Sequence, residues 1–241
     1  MQIEILQLLE GARKAKGLTV IIDVFRAFSV ACYAFDAGVQ RIIPVGDIEL
    51  ALKLKADHPD YLLVGERKER MPEGFDFGNS PTLLKRDVLK GKIMVHTTSA
   101  GTQGIAAATG ADELITGSFV NAGAIVKYIQ FRSPSVVSLV CMGYACKAPS
   151  DEDTFLAEYL KACLEDQPVD LAGMKSVLKT GAGARFFASE KQEYAPKADF
   201  DRCMAVNRFP FVLKVVQENG LNYLKQIAVD EMNINFYTED K

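Results

Sequence analysis

The chain has 241 residues, 49% of them hydrophobic, with 28 Lys and Arg against 31 Asp and Glu for a net charge of -3. That is enough apolar material for a sizeable core in one large or two small domains, and too little positive charge to hold a nucleic-acid backbone. No apolar run reaches the roughly 18 residues of a membrane span, and the start Met1-Gln2-Ile3-Glu4-Ile5 lacks the basic-then-apolar order of a signal peptide, so a cytoplasmic protein with no membrane partner is expected.

Gln2 to Leu6 and Leu18 to Asp23 read as strands, and Phe28 to Ala37 as a helix stopped by Gly38. Arg41 to Val45 is a further strand, Asp47 caps a helix to about Asp57, and Tyr61 to Val64 follows as a strand. Residues 65–81 have glycines, prolines and charges but no period, and a loop that long inside a compact domain is usually functional or disordered. Phe75 and Phe77 within it argue for order. Lys92 to His96 reads as a strand, Thr102 to Ala108 as a helix, Glu113 to Thr116 as a strand, and Gly117 to Asn121 as the turn into a helix ending near Arg132. Val136 to Met142 is the most apolar strand, and Ser150 opens a helix to about Leu164. Beyond Gln167-Pro168-Val169 the pattern reads as helical, with a last strand at Asn233 to Phe236. Alternating strands and helices of this kind predict an α/β fold with a largely parallel or mixed sheet. A cut near Arg132 divides it into α/β subdomains 1–132 and 133–241, with the site expected between them.

Polar clusters fall where apolar strands end, the place at which open α/β sheets bind ligands. Asp23 ends the apolar run Val20-Ile21-Ile22 and can bind a hard cation, act as base or nucleophile, or simply cap the next helix. Arg26, three residues on, can hold a substrate anion or form a structural ion pair. Thr97, Thr98, Ser99, Gly101 and Thr102 make a hydroxyl-rich turn ahead of a helix, suited either to an anion or to ordinary capping, and Gly117-Ser118-Phe119-Val120-Asn121 repeats the arrangement after the next strand. No Gly-Lys-Ser/Thr sequence makes either of them a Walker loop. Glu152 and Asp153 stand in a first helical turn, where the dipole favours acids and where one or two carboxylates can complete a magnesium site. His58 reads as a surface residue and His96 as a packed one. The five cysteines are scattered, and Cys141 and Cys146 miss zinc spacing, so neither a disulfide framework nor a zinc site is expected.

Taken in order, Thr19 to Arg26, Gly65-Glu66-Arg67, Gly74 to Pro81, Thr97 to Thr102, Gly117 to Asn121, Cys141-Met142-Gly143, Glu152-Asp153 and Asp199 to Cys203 resemble the signature of the 2-phosphosulfolactate phosphatases, the ComB-like proteins. Where many relatives have Asn-Gly-Thr after the paired threonines, this chain has Ser99-Ala100-Gly101-Thr102. The resemblance implies an Mg²⁺-dependent phosphatase that converts 2-phosphosulfolactate to sulfolactate and phosphate, a step toward coenzyme M. The family also has members in organisms that make no coenzyme M, so hydrolysis of a small anionic phosphoester is the firmer expectation.

On this reading Asp23, Arg26 and Glu66 are catalytic, and Asn79, Ser80, Thr97, Thr98, Ser99, Ser118 and Asn121 bind substrate. Asp23, Glu152 and Asp153 hold the metal, and Asp76 also falls on a family motif position. Attack by metal-bound water and attack by Asp23 itself both stay open, although Phe25 stands where the Asp-x-Asp of covalent haloacid-dehalogenase phosphatases has its second acid. Two other readings use the same cleft: a non-catalytic binder of a small phosphorylated or sulfonated acid, and a phosphoryl transferase. Homo-oligomerisation is compatible with either.

Overall fold

A computed structural model describes residues 1–229. In chain order its elements are β1 (Gln2–Gln7), α1 (Leu8–Lys14), β2 (Leu18–Ile22), α2 (Ala27–Asp36), β3 (Arg41–Pro44), α3 (Ile48–Asp57), β4 (Leu62–Gly65), β5 (Phe77–Gly78), α4 (Arg86–Leu89) and β6 (Ile93–Thr97). There follow α5 (Gly101–Ala107), β7 (Glu113–Gly117), α6 (Ala122–Arg132), β8 (Val136–Cys141), α7 (Asp151–Leu164), α8 (Leu171–Thr180), α9 (Lys197–Cys203), β9 (Phe211–Glu218) and β10 (Leu221–Ala228). The fold is α/β with a mixed sheet, and most expected elements appear within one or two residues. Asp47 caps α3 as expected, its side chain accepting from the Glu49 N–H.

One ten-stranded sheet runs in the order β1-β8-β2-β7-β9-β10-β3-β6-β4-β5. The pairs within β1-β8-β2-β7 are parallel, as are those within β3-β6-β4-β5. The hairpin β9-β10 joins the two groups through antiparallel pairs on both sides. Three reversals therefore set the two parallel groups running in opposite senses along the ladder. The 132/133 position falls between α6 and β8, and β8 is flanked by β1 and β2 from the chain's start.

Side chains alternate faces along a strand, and the core divides accordingly. Val20 and Ile22 of β2 pack with α6 and α7, whereas Ile21 packs into a central cluster. In the other group Ile42, Leu62, Val64 and Met94 enter that same central cluster, and Ile43, Leu63 and Val95 pack on the α3 side. Between the groups lies α2, buried from Ala27 through Ala34. A helix apolar nearly all round belongs in an interior, and the sheet curls over this one.

Several elements differ from the expectation. The sequence reading assigns none of the short elements α1, β5 and α4. The segment after residue 169 is helical only as far as α9, and β9 and β10 then supply the middle of the sheet. Their turn is Asn219-Gly220, with φ of 51° and 80°, the pair of left-handed residues that a tight hairpin turn demands. That dipeptide was the available signal, masked by the polar content of both strands. The expected strand at Asn233 to Phe236 lies outside the described residues.

Candidate active site

The carboxyl ends of β2, β4, β5, β6 and β8 meet at one open cleft of about 560 Å³, so both parallel groups contribute to it despite their opposed directions. Its walls carry Asp23, Glu66, Glu69, Glu152 and Asp153 against Lys68, Arg26 and Arg185, with Asn79, Ser99 and Tyr144 among the neutral groups. Among the described residues no His or Cys lines it.

Backbone N–H groups fix three of the carboxylates. Asp23 accepts from Ala27 (3.1 Å) and Gly101 (2.8 Å). Gly101 must lack a side chain here, because a Cβ would sit 2.9 Å from Asp23 Oδ2 and 3.0 Å from Phe28. Asp153 accepts from Val24 (2.9 Å) and Gly143 (2.8 Å), tying α7 to the ends of β2 and β8. Glu66 accepts from Ser99 (2.7 Å) and Glu69 (2.9 Å), tying the β4 and β6 ends together. Glu152 is held differently. It is buried, Ser150 Oγ lies near it without completing a hydrogen bond, and its Oε2 has no partner.

Crowding shows in the acidities. Burial first and then the charge of Glu66 push Asp23 up to about 6, against the stabilising N–H bonds from Ala27 and Gly101. Burial raises Glu152 as well, with Asp23 adding to it, and Asp153 rises well above the usual range through burial, Glu152 and Asp23. Glu69 runs the other way: burial would raise it, but Arg185 and Lys191 together hold it low. Each of them stands 3.1 Å from a Glu69 oxygen.

Of the residues expected from sequence, Asp23, Arg26, Glu66, Asn79, Ser99, Glu152 and Asp153 line the cleft. Arg26, however, spends its Nη1 on the Tyr194 carbonyl (2.7 Å) and on Asp199 Oδ2 (2.6 Å), a buried ion pair. Ser80 donates to the other Asp199 oxygen (2.8 Å), as does the Thr82 N–H (3.0 Å). Thr97 Oγ1 accepts from Arg67, and Thr98 exchanges backbone and hydroxyl contacts with Thr102 across the start of α5. Ser118 and Asn121 cap a 3-10 turn reciprocally, and Ser118 meets Ser29 at 2.6 Å. Asp76 accepts from the Leu63 N–H and pairs with Lys55. Those five hydroxyl and amide residues (Ser80, Thr97, Thr98, Ser118 and Asn121) lie outside the cleft lining. His96 is buried beside Asn79, and burial lowers it to about 4.

Sequence reasoning gave no role to Lys68, Glu69 and Arg185. The first two lie in the loop already singled out. Arg185 sits in Gly181-Ala182-Gly183-Ala184-Arg185-Phe186-Phe187, where glycines interrupt a segment that otherwise reads as helix.

Among the described residues no three His, Cys, Asp or Glu side chains are arranged to hold a metal ion by themselves. The residues do fit Mg²⁺ in its common mode, in which one or two carboxylates bind and water and phosphate oxygens complete the shell. The donors are all oxygens, and Glu152 offers a buried oxygen with no other partner. No helix among the described residues is long and apolar enough to cross a membrane.

A family model described as 2-phosphosulpholactate phosphatase matches residues 3–218. A "Probable 2-phosphosulfolactate phosphatase" of Caldanaerobacter subterraneus subsp. tengcongensis is 30% identical over 219 residues, 84% of this chain and 88% of that protein. Proteins of the same name from Clostridium acetobutylicum (33% identical, covering 79% of this chain and 86% of their own) and Bacillus subtilis (28%, covering 88% and 92%) are similar along most of their length.

Proposed function

Since this chain belongs to the 2-phosphosulpholactate phosphatase family, we propose that it hydrolyses 2-phosphosulfolactate to sulfolactate and phosphate with Mg²⁺ as cofactor. One observation carries the reading: three buried carboxylates, Asp23, Glu152 and Asp153, crowd one wall of a cleft that must receive an anion, an arrangement that calls for a cation between them. Glu152 and Asp153 would hold Mg²⁺, which when bound neutralises phosphate charge as a Lewis acid.

Asp23, released from ligand duty by the small number of ligands the ion needs, takes the proton of the attacking water, and the sulfolactate oxygen freed as the ester P–O bond breaks takes a proton from solvent in the open cleft. A carboxyl poised near 6 is well matched to that task at neutral pH. The N–H groups of Ala27 and Gly101 keep its oxygens in place while the proton arrives. Glu66 holds the β6 turn through Ser99 and adds the negative charge that keeps Asp23 basic. Arg26 acts as a buried anchor for the rim, through Asp199 and Tyr194, and not as a phosphate ligand.

The test is phosphate release from 2-phosphosulfolactate and a panel of other small phosphoesters, with Mg²⁺ and with EDTA. Mg²⁺-dependent release that is fastest on 2-phosphosulfolactate is expected. Absence of release from every ester would leave the cleft a binding site, and release only to an added acceptor alcohol would make the protein a transferase.

A further inference from the structure

We propose that Arg185 is the specificity-determining residue of the cleft, reading the second anionic group of the substrate, the sulfonate or carboxylate beside the phosphoester carbon. The inference rests on the phosphatase reading above and extends it to substrate class.

Three cationic side chains line the cleft, and they are not equivalent. Arg26 has its charge paired with the wholly buried Asp199, and its Nη1 is also held by the Tyr194 carbonyl. Lys68 is a point charge on a flexible stem, able to offset phosphate charge but not to fix an orientation. Arg185 is aimed. Its Nη2 donates to the Phe25 carbonyl (2.9 Å) and its Nη1 to Glu69 Oε1 (3.1 Å), while the guanidinium rests 5.3 Å from the Phe186 ring centre and 6.0 Å from that of Phe25. Two of its five N–H donors are thereby used to set the plane, and the rest remain for a planar or trigonal oxyanion.

Nor is its charge cancelled, because Glu69 is shared with Lys191. Asp23 and Glu152, which line the same cleft, both feel its field. A small substrate whose phosphate faces the carboxylate wall through a cation therefore turns its other anionic group toward Arg185. A neutral alkyl phosphate leaves those donors facing an uncharged group, which is the situation in which polar sites discriminate most.

Sulfolactate binding by calorimetry, and kcat/KM for 2-phosphosulfolactate against glycerol phosphate, are to be measured for wild type, Arg185→Gln and Arg185→Lys. In Arg185→Gln we expect sulfolactate affinity at least about tenfold lower, and the kcat/KM ratio of the two esters lower by a similar factor, with partial recovery in Arg185→Lys. Equal losses on both esters, or unchanged sulfolactate affinity in a folded variant, overturn the inference. If Arg185→Gln fails to fold, Arg185→Lys alone decides by the same ratio. A wild type that binds sulfolactate through Arg185 yet hydrolyses neither ester refutes the phosphatase reading and leaves the recognition intact.

Discussion

Arg26 Nη1 stands 2.6 Å from Asp199 Oδ2, and both side chains are almost wholly out of water. The pair crosses from the end of β2 to α9 and, through Ser80 and Thr82, fastens the loop that follows β5. Removing one member of a buried pair leaves the other charge stranded, at a cost of about 3–5 kcal/mol. Asp199→Asn is thus expected to lower the melting temperature by roughly 10 °C, at the 2–4 °C per kcal/mol usual for a chain of this size. Arg26→Lys is expected to destabilise as well, because a lysine stem is shorter than the side chain whose Nη1 meets both Asp199 and the Tyr194 carbonyl, and it loses the planar group resting on Phe186. Melting curves beside kcat/KM on one preparation decide the matter. A tenfold loss of kcat/KM with an unmoved melting temperature would restore Arg26 as a substrate ligand.

Asp23→Asn is expected to fold and to lose at least about a hundredfold in turnover, the scale of a lost acid or base. Its stability should also change with pH relative to wild type. The folded protein holds Asp23 near 6, above the usual aspartate value of 3.8, so its ionisation costs folding energy. That cost is absent below about pH 4, grows between 4 and 6, and then levels at up to about 3 kcal/mol. Without divalent ions the variant should therefore gain on wild type as pH rises from 4 to 7. Urea titrations of both proteins at pH 4.5 and 7.5 would show it, and parallel behaviour would mean that Asp23 is not held near 6.

A cation relieves the same repulsion. Mg²⁺ is expected to raise the melting temperature at pH 7.5, where Asp23 is ionised, more than at pH 5, where it is largely protonated. Activity should vanish in EDTA and return with Mg²⁺. Full activity in chelator, or rescue by zinc alone, would count against an oxygen-donor site.

Glu66, Lys68, Glu69 and Asn79 place the 65–81 loop on the cleft wall. Saturating sulfolactate should slow amide exchange in that loop while leaving the β9-β10 hairpin unchanged. Exchange at the loop that ignores the ligand would separate it from the site.

Much of this architecture is legible in the chain because buried parallel strands are continuous apolar runs, and a charge at the end of such a run has few places to go. Asp23 after Val20-Ile21-Ile22 is the clear case. Thr98, Ser118 and Asn121 show the limit: the hydroxyls and amides that suit a phosphate also suit a backbone turn, and these three bond within turns, while Thr97 accepts from Arg67. Arg185 was illegible for another reason. Its place in the cleft depends on where a 3-10 turn some 160 residues from Asp23 comes to rest, and no local period encodes that. Arg26 was read in the right place, with a partner, Asp199, that only the tertiary fold supplies.

Among the described residues the hairpin β9-β10 alone joins the two parallel groups in the order of strands, and it follows all of their strands in the chain. Each group can collapse on its own helices while synthesis continues, but the two walls of the cleft have no shared sheet until residue 228 is free. A newborn chain thus carries an apolar α2 with one face waiting, and its exposure to proteases and to aggregation is set by how soon β9 and β10 follow the other strands. Slowed translation across β9 and β10 should consequently harm yield more than the same delay placed across β2 and α2.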